Sequence, residues 1–383
     1  MPPHARAVSF GRGHRFAAYP RCWADKERKN HQVKVSIFAV HFATTAALPL
    51  VLPLMLAACS TSGSGPSTQA PLASASYNDY ASAWAQIKSL ADRFPGQAQA
   101  LSVGRSWEGR DIPALSISEP IADLDRKPNI YIVGGMHANE RIGVEVPLGF
   151  AQHVLYRGVS NPEIRRVLQQ ARFYVVPILN PDGLEYYIRT GSWYKNRRDN
   201  GDGTWGVNLN NNFPLGWDCT GAYPASPSPI SSSPRYRGME PFSEPESQAI
   251  RDFMLSHPPA GLIDYHCCGT IIYPTLPRVV SGRDIELWHT VEPEMARRMS
   301  AVSGRVYTAS GSDRTFQVGD LPDPSLCAML GQLFNWTRDR FETSALLIEL
   351  PPGPSESGSD LPPPDIDGVV AEQIPAILIS RTT

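Results

Sequence analysis

Asn129-Ile130-Tyr131-Ile132-Val133-Gly134-Gly135-Met136-His137-Ala138-Asn139-Glu140 is a short apolar, β-branched run that ends in two glycines and then offers an imidazole and a carboxylate three residues apart. Such a run reads as a buried strand, and the glycine pair suits a chain that leaves the strand and turns sharply. His137 and Glu140 therefore fall at a strand's C-terminal end. Much later, Leu262-Ile263-Asp264-Tyr265 leads into His266, a second strand end that could meet the first across the edge of one sheet. Two imidazoles and one carboxylate are the donor set of a catalytic zinc that keeps a fourth position for water. Alone, His-x-x-Glu is a common accident in a chain with nine histidines, so the flanking sequence has to carry the argument.

Working outward, Tyr77, Tyr80, Trp84, Ile87, Leu90 and Ala91 recur at helical spacing until Pro95 closes the element. Strand-like runs follow at Ala100 to Gly104 and Ile112 to Ile117, joined through Glu108-Gly109-Arg110. Beyond the quoted stretch, Arg141 to Tyr156 reads as a helix, Phe173 to Leu179 as a buried strand, Glu244 to Ser256 as a helix and Leu262 to Tyr265 as a strand. Strands alternating with helices predict an α/β fold with one doubly wound mixed sheet flanked by helices. Ligands of such sheets bind outside the carboxyl ends of the strands, where the three candidate metal ligands fall. The stretch from Tyr194 to Phe242 is rich in Asn, Gly, Ser and Pro and reads as irregular surface loop with functional content. Within it, Asp199-Asn200-Gly201-Asp202-Gly203 reads as a polar turn, because the Glu of a calcium loop is missing.

At 383 residues and 42% hydrophobic, the chain can bury a large core, and one catalytic domain from residue 77 to 383 is an ordinary size. A formal net charge of −2 provides no basic field, which argues against nucleic acid as a partner. The N-terminus is expected to be separate. Lys26, Arg28, Lys29 and Lys34 precede a long apolar run from Val35 to Ala58, which reads as an export signal, so residues 1–58 are taken as leader and signal segment. The run ends in Leu56-Ala57-Ala58-Cys59, similar to a bacterial lipoprotein processing box, with Cys59 as the lipid-bearing membrane contact; an uncleaved membrane anchor is the alternative. Residues 59–76 are rich in Ser, Gly, Thr and Pro with little to bury, a flexible tether. The expected address is the bacterial envelope, outer membrane or periplasm-facing, as a monomer. Cys219, Cys267, Cys268 and Cys327 allow three disulfide pairings, among which the sequence does not choose.

Several blocks recur in the order found in one known family: Gly104-Arg105-Ser106-Trp107-Glu108-Gly109-Arg110, the turn of His137 and Glu140, Asn180-Pro181-Asp182-Gly183, Trp193-Tyr194-Lys195-Asn196-Arg197, Gly206 to Phe213, Tyr236-Arg237-Gly238, His266, Tyr307 to Gly311, and Leu346-Leu347-Ile348-Glu349-Leu350. From about Tyr77 onward the chain resembles the zinc carboxypeptidase A/T family of metallopeptidases. The resemblance implies a carboxypeptidase A-like fold, one Zn2+ on His137, Glu140 and His266, and hydrolysis of C-terminal residues from peptides. Glu349 takes the place of the catalytic general base, Tyr307 that of a mobile tyrosine closing over substrate, and Asn210 that of a substrate anchor.

The departures bear on substrate. Where the family places an arginine that polarises the scissile carbonyl, this chain has Tyr194, so Tyr194, Lys195 or Arg197 must substitute or turnover is weak. Where it anchors the substrate carboxylate with an Asn-Arg pair, this chain has Asn210 and the neutral Asn211, and a further arginine is replaced by Asn139. Arg314, Arg338 or Arg340 could restore the charge, and Phe334, Asn335 and Trp336 mark where side-chain preference is expected to be set. Two rivals stay open: an envelope endopeptidase or amidase acting on cell-wall peptides, and a weakly catalytic zinc- and peptide-binding protein.

Overall fold

A mixed eight-stranded sheet runs through the molecule in the order β1-β2-β4-β3-β5-β8-β6-β7. In this computed structural model the described residues are 76–122, 127–218, 226–277, 279–312, 315, 317, 331–353 and 363–378. The strands are β1 (Ala98–Arg105), β2 (Asp111–Ile117), β3 (Asn129–Val133), β4 (Arg172–Val176), β5 (Pro259–Cys267), β6 (Ile271–Pro274), β7 (Thr308–Ala309) and β8 (Ser344–Leu350). The helices are α1 (Tyr80–Arg93), α2 (Ile142–Gly158), α3 (Pro162–Gln170), α4 (Pro181–Thr190), α5 (Pro245–Ser256), α6 (Gly282–Glu286), α7 (Glu292–Ser303), α8 (Leu333–Phe341) and α9 (Pro363–Ile377). The expected leader, lipid-bearing Cys59 and nearly all of the tether lie outside the described residues, as do Cys219, Arg314 and Cys327. Among the described residues no helix is long and apolar enough to cross a membrane.

The expected α/β class and mixed sheet are observed. Adjacent β4, β3, β5 and β8 run parallel to one another, while β1 and β2 on one flank and β6 on the other pair antiparallel. Parallel strands covered on both faces should be apolar throughout, and β4 and β3 obey this with Phe173, Val175, Ile130 and Ile132 facing one core cluster and Tyr174, Val176, Tyr131 and Val133 the other. The first cluster is covered by α1, α2, α7 and α9 and the second by α5 and α8.

Boundaries differ from expectation for local reasons. α1 starts at Tyr80, not Tyr77, because Asp79 accepts from Ser82 N while Ser82 Oγ accepts from Asp79 N, a capping box. β4 ends at Val176 because Pro177 has no N–H for the ladder. The segment from Tyr194 to Phe242 is not simply surface: residues 206–213 are buried, and Leu209–Asn211 form a 3-10 turn. Asparagine side chains make that burial tolerable by meeting backbone groups, as when Asn212 Nδ2 donates to Arg237 O at 2.9 Å and Glu240 O at 3.2 Å. Asp199 and Asp202 form the expected polar turn, accepting from Gly201 N and Thr204 N.

Candidate metal centre and active site

β3, β5 and β8 lie side by side and all run the same way, so their C-terminal ends open on one edge. β3 delivers the turn of His137 and Glu140. Gly134 N donates to Val176 O at 2.9 Å and the carbonyls of Gly134 and Gly135 accept from Leu179 and Asn180, which bends the chain back over β4. Gly135 has φ +60°, and a Cβ at Gly134 would collide with the Gly143 carbonyl, so both glycines are required here. Asn180 holds the turn from outside: its Nδ2 donates to Met136 O at 3.0 Å and Lys195 O at 3.2 Å, while its Oδ1 caps α4 through Gly183 N.

On β5, His266 pairs in register with Glu349 on β8, so both side chains leave the same face of adjacent strands. The three candidate ligands converge, with ligand atoms within 4.8 Å of one another. His137 Nδ1 lies 2.8 Å from Glu140 Oε1, and His266 Nδ1 lies 3.0 Å from Glu140 Oε2 and 3.1 Å from His137 Nδ1. Atoms sharing one ion at zinc distances of about 2.0–2.1 Å stand roughly 3.3 Å apart around a tetrahedron, close to the observed spacing. Two buried imidazole nitrogens facing each other at 3.1 Å also need an electrophile between their lone pairs, or a proton. The donor set and spacing therefore fit zinc.

The outer nitrogens are held as well. His137 Nε2 is 3.2 Å from Asn208 Oδ1, and His266 Nε2 is 3.4 Å from Asp264 Oδ2, an ion-pair distance too long or off-line for a well-formed hydrogen bond. These contacts favour tautomers that leave Nδ1 free for the ion. Burial opposes charge on Glu140, yet His137 and His266 outweigh it and pull the carboxyl down to about 2. Burial likewise opposes His266 charging, but Asp264 and Glu140 prevail and raise it. Asp264 went unassigned in the sequence; the available signal was an acid two residues before His266 in an apolar strand, hence on the same face.

A cavity of about 530 Å³ opens over this cluster, lined by His137, Glu140, Tyr194, Asn208, Asn210, Asn211, Pro234, Arg235, His266, Cys267, Tyr273, Gln332, Leu347 and Glu349. Glu349 Oε2 is buried without a hydrogen-bond partner, and burial, followed by the charge of Glu140, pushes the carboxyl up to about 7. Tyr194 stacks on the His137 ring with centroids 4.0 Å apart, and burial keeps its phenol protonated. Cys267 and Cys268, next to His266, are disulfide-bonded to each other.

Eight residues lie elsewhere than expected. Tyr307 is buried among core residues, its phenol donating to Glu372 Oε2 at 2.7 Å and accepting from Gln373, so it does not close over the cavity. Phe334 and Trp336 pack in the core, and Asn335 accepts from Leu276 N; the cavity wall is Tyr273, Gln332 and Leu347 instead. Arg338 is bound to Asp284 and Ser281, and Arg340 lies over the Phe341 ring. Lys195 Nζ donates to Ser231 O and Ser233 O, and Arg197 is stacked among Tyr186, Trp193 and Trp205, so of the carbonyl-polarising candidates only Tyr194 faces the cavity among the described residues. The cation that does line it is Arg235, which no sequence signal singled out.

Residues 84–375 match the zinc carboxypeptidase family. The chain belongs to that family. It is 37% identical over 186 residues to carboxypeptidase B of Astacus astacus, covering 48% of this chain and 57% of that protein. It is 34% identical over 179 residues to an inactive metallocarboxypeptidase, ECM14, of Ajellomyces capsulatus, covering 44% of this chain and 28% of that protein. The chain thus spans about half, or less, of the length of these curated relatives. Bovine thrombin-activatable fibrinolysis inhibitor, solved with a tick carboxypeptidase inhibitor, superposes with a TM-score of 0.65 at 26% identity, over 79% of this chain and 96% of that one. Carboxypeptidase A of Helicoverpa armigera shares the fold, with a TM-score of 0.65 at 24% identity over 80% of this chain and 73% of that one. The carboxypeptidase family uses one zinc, and His137, Glu140 and His266 are the residues that would hold it here.

The carboxypeptidase motif blocks outside the cavity are structural. Asp182 accepts from Ser106 Oγ, Glu108 N and Arg110 Nη1, locking the block 104–110 to α4. Asn196 bridges Glu244 and Glu246 on one side and Val207 N on the other, tying the 193–213 segment to the start of α5.

Proposed function

We propose that the protein is a zinc-dependent carboxypeptidase that removes C-terminal residues from peptides, with Glu349 as general base. The observation that carries this is Glu349 itself: a half-buried carboxylate whose enclosed Oε2 has no hydrogen-bond partner, paired in register with His266, at the open end of the candidate metal cluster. When bound, zinc supplies Lewis acidity toward the scissile carbonyl and toward water. Glu349 takes a proton from the attacking water as the carbon–oxygen bond forms, then passes it to the departing amine nitrogen as the carbon–nitrogen bond breaks. Its position near neutrality suits both halves of that transfer. Tyr194, protonated and lining the cavity, donates its phenolic O–H to the developing oxyanion in place of an arginine. Asn210 and Asn211 line the same cavity and take the C-terminal residue in this reading. Glu140, His137 and His266 would hold the ion, and Asp264 and Asn208 orient the two imidazoles.

The protein should bind about one zinc and release single C-terminal amino acids from a mixed peptide pool, with activity lost on chelation and restored by zinc. Glu349→Gln should lower kcat by ~10²–10⁴-fold with zinc content unchanged. An E349Q variant retaining wild-type turnover would remove the reading.

A second reading, a zinc- and peptide-binding protein of feeble turnover, is favoured by the neutral Asn139, Tyr194 and Asn211 in the substrate groove. Peptide binding without cleavage by the wild type would select it. The segment 1–76 carries a further part of the proposal, export followed by lipid attachment at Cys59 in the bacterial envelope, where cell-wall peptides are a candidate substrate. Metabolic labelling with a fatty acid, lost in Cys59→Ala, tests it.

A further inference from the structure

Cleavage at a chain terminus requires a group that senses the terminal carboxylate, and the cavity offers one. Glu140 and Glu349 make its metal end acidic. Arg235 contributes a guanidinium to the same cavity, half-buried and, among the described residues, free of any ion pair with an acid. Its backbone is clamped by the neutral asparagines of the 208–212 segment. Asn211 Nδ2 donates to Arg235 O at 3.1 Å, Asn208 Nδ2 donates to Pro234 O at 3.3 Å, and Asn208 N donates to Tyr236 O at 2.8 Å. Asn210, beside them, lines the cavity with a side-chain amide whose Oδ1 is buried without a partner.

We infer that Arg235 is the specificity-determining residue for a substrate bearing a free α-carboxylate, which its guanidinium binds with help from the Asn210 amide. A half-buried guanidinium facing a cavity with no acid partner leaves its planar fork of donors for a carboxylate, the anion whose geometry it matches. The absence of arginine at Asn211 is then compensated in space: the asparagine anchors the backbone that presents Arg235. The inference rests on the exopeptidase reading above.

The test uses zinc-loaded protein carrying Glu349→Gln, so that binding is measured without turnover, and two probes, N-acetyl-glycyl-phenylalanine as free acid and as C-terminal amide. Titration calorimetry should show tighter binding of the free acid. Adding Arg235→Gln should weaken the free acid by ~10–100-fold, the worth of hydrogen bonds to a charged group, and leave the amide within about twofold. Arg235→Lys should recover part of the loss. Amide binding by each variant reports that the cavity is still folded. If the free acid remains preferred in Arg235→Gln, Arg235 is not the anchor though the exopeptidase reading survives. If the parent protein itself does not distinguish acid from amide, the exopeptidase reading fails and takes the anchor with it. A loss that falls equally on both probes would place Arg235 at the scissile carbonyl and also overturn the proposal.

Discussion

Asp264 and Glu349 show how little a side chain's chemistry is set by its own identity. Both are carboxylates at the C-terminal ends of neighbouring parallel strands. Asp264 is fully buried against the His266 ring, while Glu349 faces the cavity with one oxygen unpartnered. The first is suited to steering an imidazole and the second to moving a proton. Asp264→Asn should therefore weaken zinc binding by ~10–100-fold, the usual cost of removing an outer partner, measurable by competition with a chromogenic chelator. Unchanged affinity would mean that Asp264 only fills space. The ligands were legible in the sequence because each follows an apolar run at which a polar group is out of place unless used. Arg235 was not legible, since its segment has no periodicity and only tertiary contacts aim it at the cavity. Tyr307 misled because nothing local shows that its phenol meets Glu372 in α9, a residue remote in sequence.

At the level of elements, the site depends on turns more than on helices. Asn180 caps α4 with its Oδ1 and ties down Met136 O and Lys195 O with its Nδ2, so a single side chain fixes the metal turn to the segment that carries Tyr194. Asn180→Ala should cost about 2 kcal/mol or more, the sum of a lost cap and two backbone carbonyls left without their donor. Denaturant unfolding measures the loss, and a change under about 0.5 kcal/mol, the size of an ordinary surface substitution, would contradict this account. The strands were readable from apolar runs bounded by glycine and proline. β6, β7, α3, α4 and α6 to α9 were not assigned, although Asn161-Pro162 and Asn180-Pro181 are cap and first-turn signals for α3 and α4.

Across the whole molecule, buried acids link folding to pH. Burial, more than any neighbour, raises Glu246 to about 8 and Glu145 to about 7, while an unfolded glutamate titrates near 4.3. The folded state therefore holds these protons more tightly than the unfolded chain does. Their contribution to stability is complete below about pH 4 and is lost as pH rises through 7 and 8. Wild-type protein should lose stability between about pH 5 and 8, and Glu246→Gln should show a flatter profile in equilibrium unfolding across that window. A steeper profile in the variant would reverse the assignment.

The edge formed by β3, β5 and β8 has a further consequence. Strands in a sheet keep a separation of about 4.8 Å whatever loops they carry. A reactive trio hung from three adjacent ladders inherits its dimensions from the backbone lattice, whereas Tyr194, Asn211 and Arg235 belong to the connecting segment above it. Under the proposed function, mutational drift in that overlying segment retunes which peptide end is accepted while the groups proposed to break the bond stay where the sheet put them.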